Sequence, residues 1–153
     1  MTPDGQARVV ADDIHFPNGM VVTPDGSTLI VAESWARRLS AFDIDADGGL
    51  SHRRVWADVT GDGICLDAEG AVWTQTNDDG KPACARVREG GEVLDRIDLD
   101  LPCFAATLGG PDGRTLFMMV AVFPGVDRLD ELFRTRTGQV LTARAPVPAA
   151  GWQ

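Results

Sequence analysis

The sequence predicts an all-β protein made of about three four-stranded antiparallel blades of a β-propeller, arranged as an incomplete ring. The first observation is the abundance of turn formers: 17 glycines and 9 prolines in 153 residues indicate many tight turns. The second is spacing, because turn pairs such as Asp25-Gly26 recur every 21 to 25 residues. Two hairpins therefore form a repeat of the length that is typical of propeller blades. An irregular β-sandwich is the alternative fold.

Two interleaved series of turns divide the predicted hairpins. One series lies in the more apolar hairpins, which we expect nearest the central axis, and the other lies in more charged hairpins, which we expect at the rim. The apolar series is Gly26, Gly70 and Gly113, and the charged series is Gly5, Gly49 and Gly91. The predicted strands, in chain order, are ARVVAD, GMVVTP, TLIVAES, RLSAFDID, RRVWADV, GICLD, AVWTQT, ACARV, EVLDRIDL, FAATLG, TLFMMVAV and QVLTARA. A short helix is predicted at Asp127–Arg134.

The number of strands predicts that the ring is not closed by this chain. About twelve strands are enough for three blades, whereas a closed propeller needs at least four blades. Three blades alone would leave two exposed sheet faces and an open core. We therefore expect residues 1–153 to form a partial β-propeller domain. Since the chain begins inside a rim hairpin, we expect a missing N-terminal half, a truncated product, or a homodimer in which two copies complete the ring.

Charge, apolar runs and cysteine content indicate which partners and which cellular compartment to expect. The formal net charge is −9 and no basic stripe occurs, which argues against nucleic acid and provides no attraction to anionic membranes. The sequence has no segment of signal-peptide type and no apolar run of transmembrane length, so a cytoplasmic protein is expected. The three cysteines, an odd number without CxxC spacing, are predicted to be buried free thiols in a reducing compartment. They are Cys65, Cys84 and Cys103.

A polar residue before a glycine recurs one repeat later. Asn18 precedes Gly19 and Asp62 precedes Gly63, with 44 residues between the two polar residues, so both are predicted at the entry to the innermost strand of successive blades. Innermost strands converge on the axis, where an amide oxygen and a carboxylate suit Ca²⁺, Mg²⁺ or Mn²⁺. The alternative is that both residues only form turns. Two histidines and no thiol cluster disfavour zinc, and residues 102–104 offer no ligand in the third repeat.

Two stretches, FPNGMVVTPDGSTLIVAES and DGICLDAEGAVW, carry a resemblance to the gluconolactonase, regucalcin and senescence marker protein family. The resemblance covers nearly the whole chain but only the C-terminal half of a family member. It implies a six-bladed β-propeller with a divalent metal, often calcium, in the central channel. Its metal ligands include an Asn before a Gly and the Asp of a Pro-Asp-Gly segment, which match Asn18 and Asp62. The family's other ligands, a Glu and a second Asn, would precede residue 1, and Gly61 stands where the family has Pro.

The resemblance implies a metal-dependent lactone hydrolase that acts on sugar lactones or related small molecules. Asp62 is the expected catalytic residue, which orients or deprotonates the attacking water while it ligates the metal. Asn18 is expected to bind both the metal and the substrate. Ca²⁺ is the expected ion, with Mn²⁺, Mg²⁺ and Zn²⁺ as alternatives, and full activity is expected to need the N-terminal half or a dimer. The alternatives are a non-catalytic propeller that serves as a binding module and a strictosidine-synthase-like relative.

Other conspicuous side chains are interpreted as structural. Glu33 is expected to end an inner strand and to hydrogen-bond across blades. His15 is expected to pack within a loop. The predicted turn acids are Asp25, Glu69 and Asp112. The tryptophans predicted to fill gaps between sheets are Trp35, Trp56, Trp73 and Trp152. The arginines predicted to be solvated charges at the rim are Arg37, Arg38, Arg53 and Arg54.

Overall fold

The computed structural model describes residues 5–78 and 80–151, which form three antiparallel sheets and one short helical segment. The first sheet contains, in spatial order, β1 (Pro17–Val22), β2 (Thr28–Glu33), β3 (Arg38–Ile44) and β4 (Leu50–Ala57). The second contains β5 (Cys65–Leu66), β6 (Val72–Asp78), β7 (Lys81–Val87) and β8 (Val93–Asp98). The third contains β9 (Cys103–Gly109), β10 (Thr115–Val120) and β11 (Gln139–Arg144), with a 3₁₀ turn (Val126–Arg128) and helix α1 (Leu129–Arg134) between the last two. The predicted all-β architecture and the short helix are confirmed. No helix in this described part of the chain is long and apolar enough to cross a membrane.

One predicted strand is not formed. Residues 7–12, with the sequence ARVVAD, belong to none of the three sheets, and Val9 is 81% exposed. The prediction of a strand is wrong here because a strand needs a hydrogen-bonded neighbour, and no sheet in the described chain pairs with this segment. The turn predicted at Asp4-Gly5 lies partly outside the described residues, since Asp4 is not among them.

Turn glycines and Asp25 form hairpin connections in the way the sequence predicts, whereas the predicted turn acid Glu69 pairs with Arg86 (2.7 Å) and Asp67 accepts the turn N–H bonds instead. Gly26, between β1 and β2, has a φ of +73°, and Gly70, between β5 and β6, has a φ of +77°, a backbone conformation that glycine adopts without steric cost. Asp25 accepts hydrogen bonds from the Thr23 hydroxyl (2.6 Å) and from the Ser27 backbone N–H (3.1 Å). These bonds hold the pKa of Asp25 below its usual range, as expected for a turn acid.

Two apolar layers join the three sheets. The layer between the first and second sheets contains Trp56 (4% exposed), and the layer between the second and third contains Trp73 (1% exposed). Both tryptophans fill the space between sheets, as predicted. Trp35 does not, because it is 74% exposed, and Trp152 lies outside the described residues. All three cysteines are buried free thiols, which confirms that prediction, and burial raises the pKa of the Cys65 thiol to about 12.

A buried carboxylate at the end of β2 ties the first sheet to the segment before it. Glu33 is 0% exposed. It accepts hydrogen bonds from Ser40 Oγ (2.5 Å), Arg53 NH2 (2.9 Å), Arg38 Nε (3.1 Å) and the His15 backbone N–H (2.9 Å). The prediction that Arg38 and Arg53 are solvated rim charges is therefore wrong. The predicted bonds across blades are also wrong, because β2 is the second strand of its sheet and these partners lie in that sheet or directly before it.

The three sheets meet where their first strands begin, through contacts between backbones. The Gly19 N–H donates to the Asp62 carbonyl oxygen (2.7 Å), and the Gly63 N–H donates to the Phe104 carbonyl oxygen (2.9 Å). Gly63 also forms a parallel bridge with Ala105. The first strands therefore converge on one axis, as the repeat spacing predicts.

Glycine at position 19 is required by this close approach. A Cβ there would lie 2.3 Å from the Asp62 carbonyl oxygen. We expect Gly19→Ala to lower the free energy of unfolding by about 1–3 kcal/mol, as measured by urea denaturation. The matched control is Gly138→Ala, where a Cβ would meet nothing within 4 Å and the change should stay within about 0.5 kcal/mol. Equal stability of the two variants would contradict the close approach.

Candidate functional site

The structure brings Asn18 and Asp62 into contact at the axis. Asn18 is the second residue of β1, and Asp62 lies in the segment that leads into β5. The Asn18 Nδ2 donates to Asp62 Oδ1 across 3.2 Å, although 44 residues separate them. Asn18 is exposed and Asp62 is half-buried. The expected proximity of the two side chains is confirmed, while their roles stay a prediction.

Ser34 is a third polar side chain at this site, and the sequence reasoning missed it. Its Oγ lies 2.5 Å from Asp62 Oδ1 and 2.8 Å from the Gly61 carbonyl oxygen. A signal was available in the hairpin, because antiparallel pairing of β1 with β2 places Pro17 opposite Glu33. Ser34, the next residue, must therefore lie beside the entry to β1.

The donor set fits a hard divalent cation. Within residues 5–78 and 80–151, Asp62 Oδ1 accepts two hydrogen bonds whereas Oδ2 accepts none, so Oδ2 can ligate a metal ion. The Asn18 amide would present its oxygen after a rotation that exchanges its nitrogen and oxygen, an assignment that rests on the hydrogen-bond network. Oxygen donors of this kind suit Ca²⁺, Mg²⁺ and Mn²⁺ rather than zinc.

The same site is incomplete as a metal centre. Among the residues that the structure describes, no three or more His, Cys, Asp or Glu side chains are grouped to hold a metal ion. Ca²⁺ takes six to eight oxygen ligands, so Asn18, Asp62 and Ser34 could supply only a part of them. If the site bound a cation, water or groups outside the three sheets would have to complete the coordination.

The third repeat places an aromatic ring where the first two place polar side chains. The Phe104 carbonyl oxygen accepts a hydrogen bond from the Gly63 N–H, as the Asp62 carbonyl oxygen accepts one from the Gly19 N–H, so Phe104 is the structural equivalent of Asp62. Its ring packs edge-on against Phe123 at 5.9 Å and lines an open apolar groove of about 350 Å³ beside Met119 and Val140. At this position the third repeat therefore presents an aromatic ring rather than an oxygen donor.

A stacked aromatic pair borders the polar cluster. The rings of Phe16 and Trp35 lie 5.0 Å apart with an interplanar angle of 8°, and they are 53% and 74% exposed. The prediction that Trp35 packs between sheets is wrong because this residue lies in the turn between β2 and β3, beyond the sheet. Phe16 has a φ of +59°, a strained conformation for a bulky residue, two residues before Asn18.

A polar cleft lies next to the segment that carries Asp62. It has a volume of about 120 Å³ and is lined by Arg37, Asp58, Val59, Thr60, Thr76 and Asn77. These residues come from the β2–β3 turn, the segment after β4 and the end of β6. The cleft therefore offers charged, hydroxyl and amide groups on one side of the axial cluster.

Three antiparallel sheets whose first strands meet at a common axis define the molecule as a partial β-propeller with a polar cluster at its centre. The chain belongs to the SMP-30/gluconolactonase/LRE-like family, whose sequence profile matches residues 1–122. The resemblance seen in the sequence is thereby confirmed.

Two curated relatives show how much of a family member is represented. A 6-deoxy-6-sulfogluconolactonase of Pseudomonas putida is 31% identical over 121 residues, which cover 74% of this chain and 40% of the relative. Regucalcin of Danio rerio is 34% identical over 104 residues, which cover 64% of this chain and 31% of the relative. This chain therefore spans less than half the length of these relatives.

Solved structures show the same fold over about half of their length. A luciferin-regenerating enzyme matches with a TM-score of 0.76 at 21% identity, over 95% of this chain and 50% of that one. A calcium-binding protein, regucalcin of Agrobacterium tumefaciens, matches with a TM-score of 0.71 at 24% identity, over 97% and 51% of the two chains. A gluconolactonase of Xanthomonas campestris is 28% identical with a TM-score of 0.64, over 77% and 39%.

Proposed function

We propose that this chain forms the metal-binding half of a lactone hydrolase, which acts on sugar lactones or related small molecules. The observation that carries the proposal is the contact between Asn18 and Asp62 across one repeat, with one carboxylate oxygen that accepts no hydrogen bond from the residues that the structure describes. Family membership supports the reaction class, since relatives are named as lactonases. Calcium is the proposed ion because a structural neighbour is described as calcium-binding and the donors are hard oxygens.

In the proposed mechanism, Asp62 and Asn18 act on the water and on the substrate. A divalent cation held by Asp62 and Asn18 would supply Lewis-acid chemistry at the lactone carbonyl. Asp62 accepts the proton of the attacking water or orients that water, and the Ser34 hydroxyl fixes the position of the Asp62 carboxylate at 2.5 Å. Asn18 donates a hydrogen bond to the substrate from its amide nitrogen. The exposed face of the Trp35 ring binds the sugar ring of the substrate, because an aromatic face suits the apolar face of a sugar.

The proposal predicts weak but site-specific cation uptake. We expect isothermal titration calorimetry to detect Ca²⁺ or Mn²⁺ binding to the wild-type chain, because two protein donors leave most of the coordination to water. Asp62→Asn should abolish the binding. The matched control is Asp112→Asn, which removes an exposed turn carboxylate that pairs with Arg144 (2.9 Å) and should leave the binding unchanged.

Two results of that titration would count against the proposal. Uptake that persists in Asp62→Asn would place the ion elsewhere. The absence of heat with either ion in the wild-type chain would favour a non-catalytic binding module built on the same fold.

A further inference from the structure

The first sheet exposes positions that are buried in the other two. On the outer face of β1, Met20 is 68% exposed and Val22 is 48% exposed. One repeat later, the corresponding positions are Ile64 (8% exposed) and Leu66 (0% exposed), which pack against the first sheet. The outer face of β1 is therefore built as an interface between sheets, although none of the three sheets in the described part of the chain covers it.

The third sheet also has an open apolar face, which lies at the other end of the arc of sheets. Met119 lies 87 residues after Ala32, the same separation as between their turn glycines Gly26 and Gly113. Ala32 is 0% exposed between the first two sheets, whereas Met119 is 54% exposed. Val140, its partner on β11, is 66% exposed. The two ends of the arc thus carry complementary halves of a sheet-to-sheet interface.

The third sheet also lacks a fourth strand, and the chain carries a spare one. The first two sheets have four strands each, while β11 is the third and outermost strand of its sheet, and no strand among the described residues pairs with its outer edge. Residues 8–12, RVVAD, repeat residues 54–58, RVWAD, with one difference. Residues 54–57 belong to β4, the fourth strand of the first sheet, yet residues 8–12 belong to no sheet.

Side-chain contacts hold the spare segment beside the open face of the first sheet. The Arg8 side chain binds the carboxylate of Asp47 (3.1 Å) and its carbonyl oxygen (2.8 Å). Arg53, which also binds Glu33, donates to the carbonyl oxygen of Asp13 (3.0 Å). Residues 8–12 would therefore lie next to the outer edge of any sheet that packed on Met20.

We infer that a second copy of this chain covers both open faces. The first sheet of each copy packs on the third sheet of the other, and residues 8–12 of each copy add to the β11 edge of the other as its fourth strand. Each copy supplies a fourth strand to the third sheet of the other, so a two-fold axis covers both open faces and the β11 edge at once. Two copies also contain about as many residues as the solved structures of which one copy covers 50% and 51%.

The exposed area agrees with this assembly. A folded monomer of 16.4 kDa exposes about 7,500 Å², whereas this chain exposes 9319 Å². If each copy buried the excess of roughly 1,800 Å², the dimer would lie within the range of permanent assemblies, about 2,000–5,000 Å² in total. The dimer would bring two Asn18–Asp62 pairs to one axis. That consequence alone rests on the proposed function, whereas the assembly does not.

Light scattering of the full chain, without added metal, tests the assembly independently of the proposed function. We expect wild type to have about twice the chain mass of 16.4 kDa. Val140→Lys and Val9→Pro should raise the dissociation constant by about 100-fold or more, because the first places a charge in the interface and the second removes a strand N–H. The matched control is Val93→Lys, on an outer strand where Val93 is 50% exposed, which should leave the dimer intact.

An engineered disulfide tests the register of the added strand. β4 places Val55 opposite Ser40 of β3, so the equivalent residues, Val9 of one copy and Leu141 of the other, should face each other. Val9→Cys combined with Leu141→Cys should form a covalent dimer under oxidising conditions, whereas Val9→Cys with Val93→Cys should not. A folded wild-type monomer at the highest concentration measured, as expected if a different chain covers the faces, would overturn the inference. A dimer unaffected by both Val140→Lys and Val9→Pro would also overturn it.

Discussion

Replacing Asp62 by asparagine is expected to lower kcat/KM for lactone hydrolysis by about 10²–10⁴-fold, the usual contribution of a positioned acid–base group. The substitution keeps the shape of the side chain and its contact with Ser34, but it removes the negative charge that would hold the cation and the proton acceptor for the water. The measurement is the rate of acid release from a sugar lactone, such as gluconolactone, by the complete ring. Because the carboxylate serves both functions, added metal should restore little of the lost activity.

Two variants make the Asp62 result specific. Asp112→Asn removes a carboxylate of the same type from a turn far along the chain, and its rate should match wild type. Ser34→Ala removes the hydroxyl 2.5 Å from Asp62 Oδ1, and it should reduce the rate less than Asp62→Asn because the carboxylate remains. Near-wild-type turnover by Asp62→Asn would rule out the proposed role of this residue.

Replacing Glu33 by glutamine is expected to lower the free energy of unfolding by about 3–5 kcal/mol, as breaking a buried ion pair commonly does. Glu33 is 0% exposed, and its carboxylate neutralises Arg38 and Arg53. The uncharged amide would remove the carboxylate that both guanidinium groups contact directly. Urea denaturation at pH 7 measures the effect. The matched control is Glu89→Gln, which removes an exposed carboxylate that pairs with Arg54. Because the Glu89 side chain is 60% exposed, the free energy of unfolding should change by no more than about 1 kcal/mol.

The pH dependence of stability provides a second test of Glu33. Burial alone would raise its pKa, but hydrogen bonds from Arg38, the His15 backbone, Ser40 and Arg53 outweigh burial and hold the pKa far below the ordinary 4.5. The folded chain therefore binds fewer protons than the unfolded chain near that pH, and stability rises with pH there. The contribution of Glu33 is complete above about pH 4.5 and is lost as the pH falls below it. Glu33→Gln should flatten this acid limb, and an unchanged limb would contradict the assignment.

The sequence predicts the sheets well because their signals are local. Turn glycines such as Gly26 and Gly70 and the apolar runs beside them determine the hairpins without reference to distant residues. The segment 7–12 shows the limit of this reasoning: its composition is that of a strand, but a strand also requires an edge to pair with. Trp35 was misplaced for a related reason, since a large apolar side chain predicts burial only if its backbone lies between sheets.

The site was predictable only as far as the repeat determines it. Because equivalent residues of successive blades meet at the axis, the spacing alone brings Asn18 to Asp62. Predicting the position of Ser34 required the register of β1 and β2. An error of one residue in that register would have placed the Ser34 side chain on the other face of the sheet. The Glu33 cluster was less accessible still, because Arg53 reaches it from β4 with a long side chain whose direction no sequence pattern specifies.

The central claim is that two oxygen donors one repeat apart hold a divalent cation at the axis. Anomalous diffraction from crystals grown with Mn²⁺ tests it most directly. We predict a peak about 2–2.6 Å from Asp62 Oδ2 and from the Asn18 amide oxygen, the range of metal–oxygen bonds for hard cations, with the amide turned relative to its present hydrogen bond. A well-ordered crystal with no peak at this position, and with Asn18 still donating to Asp62, would contradict the claim.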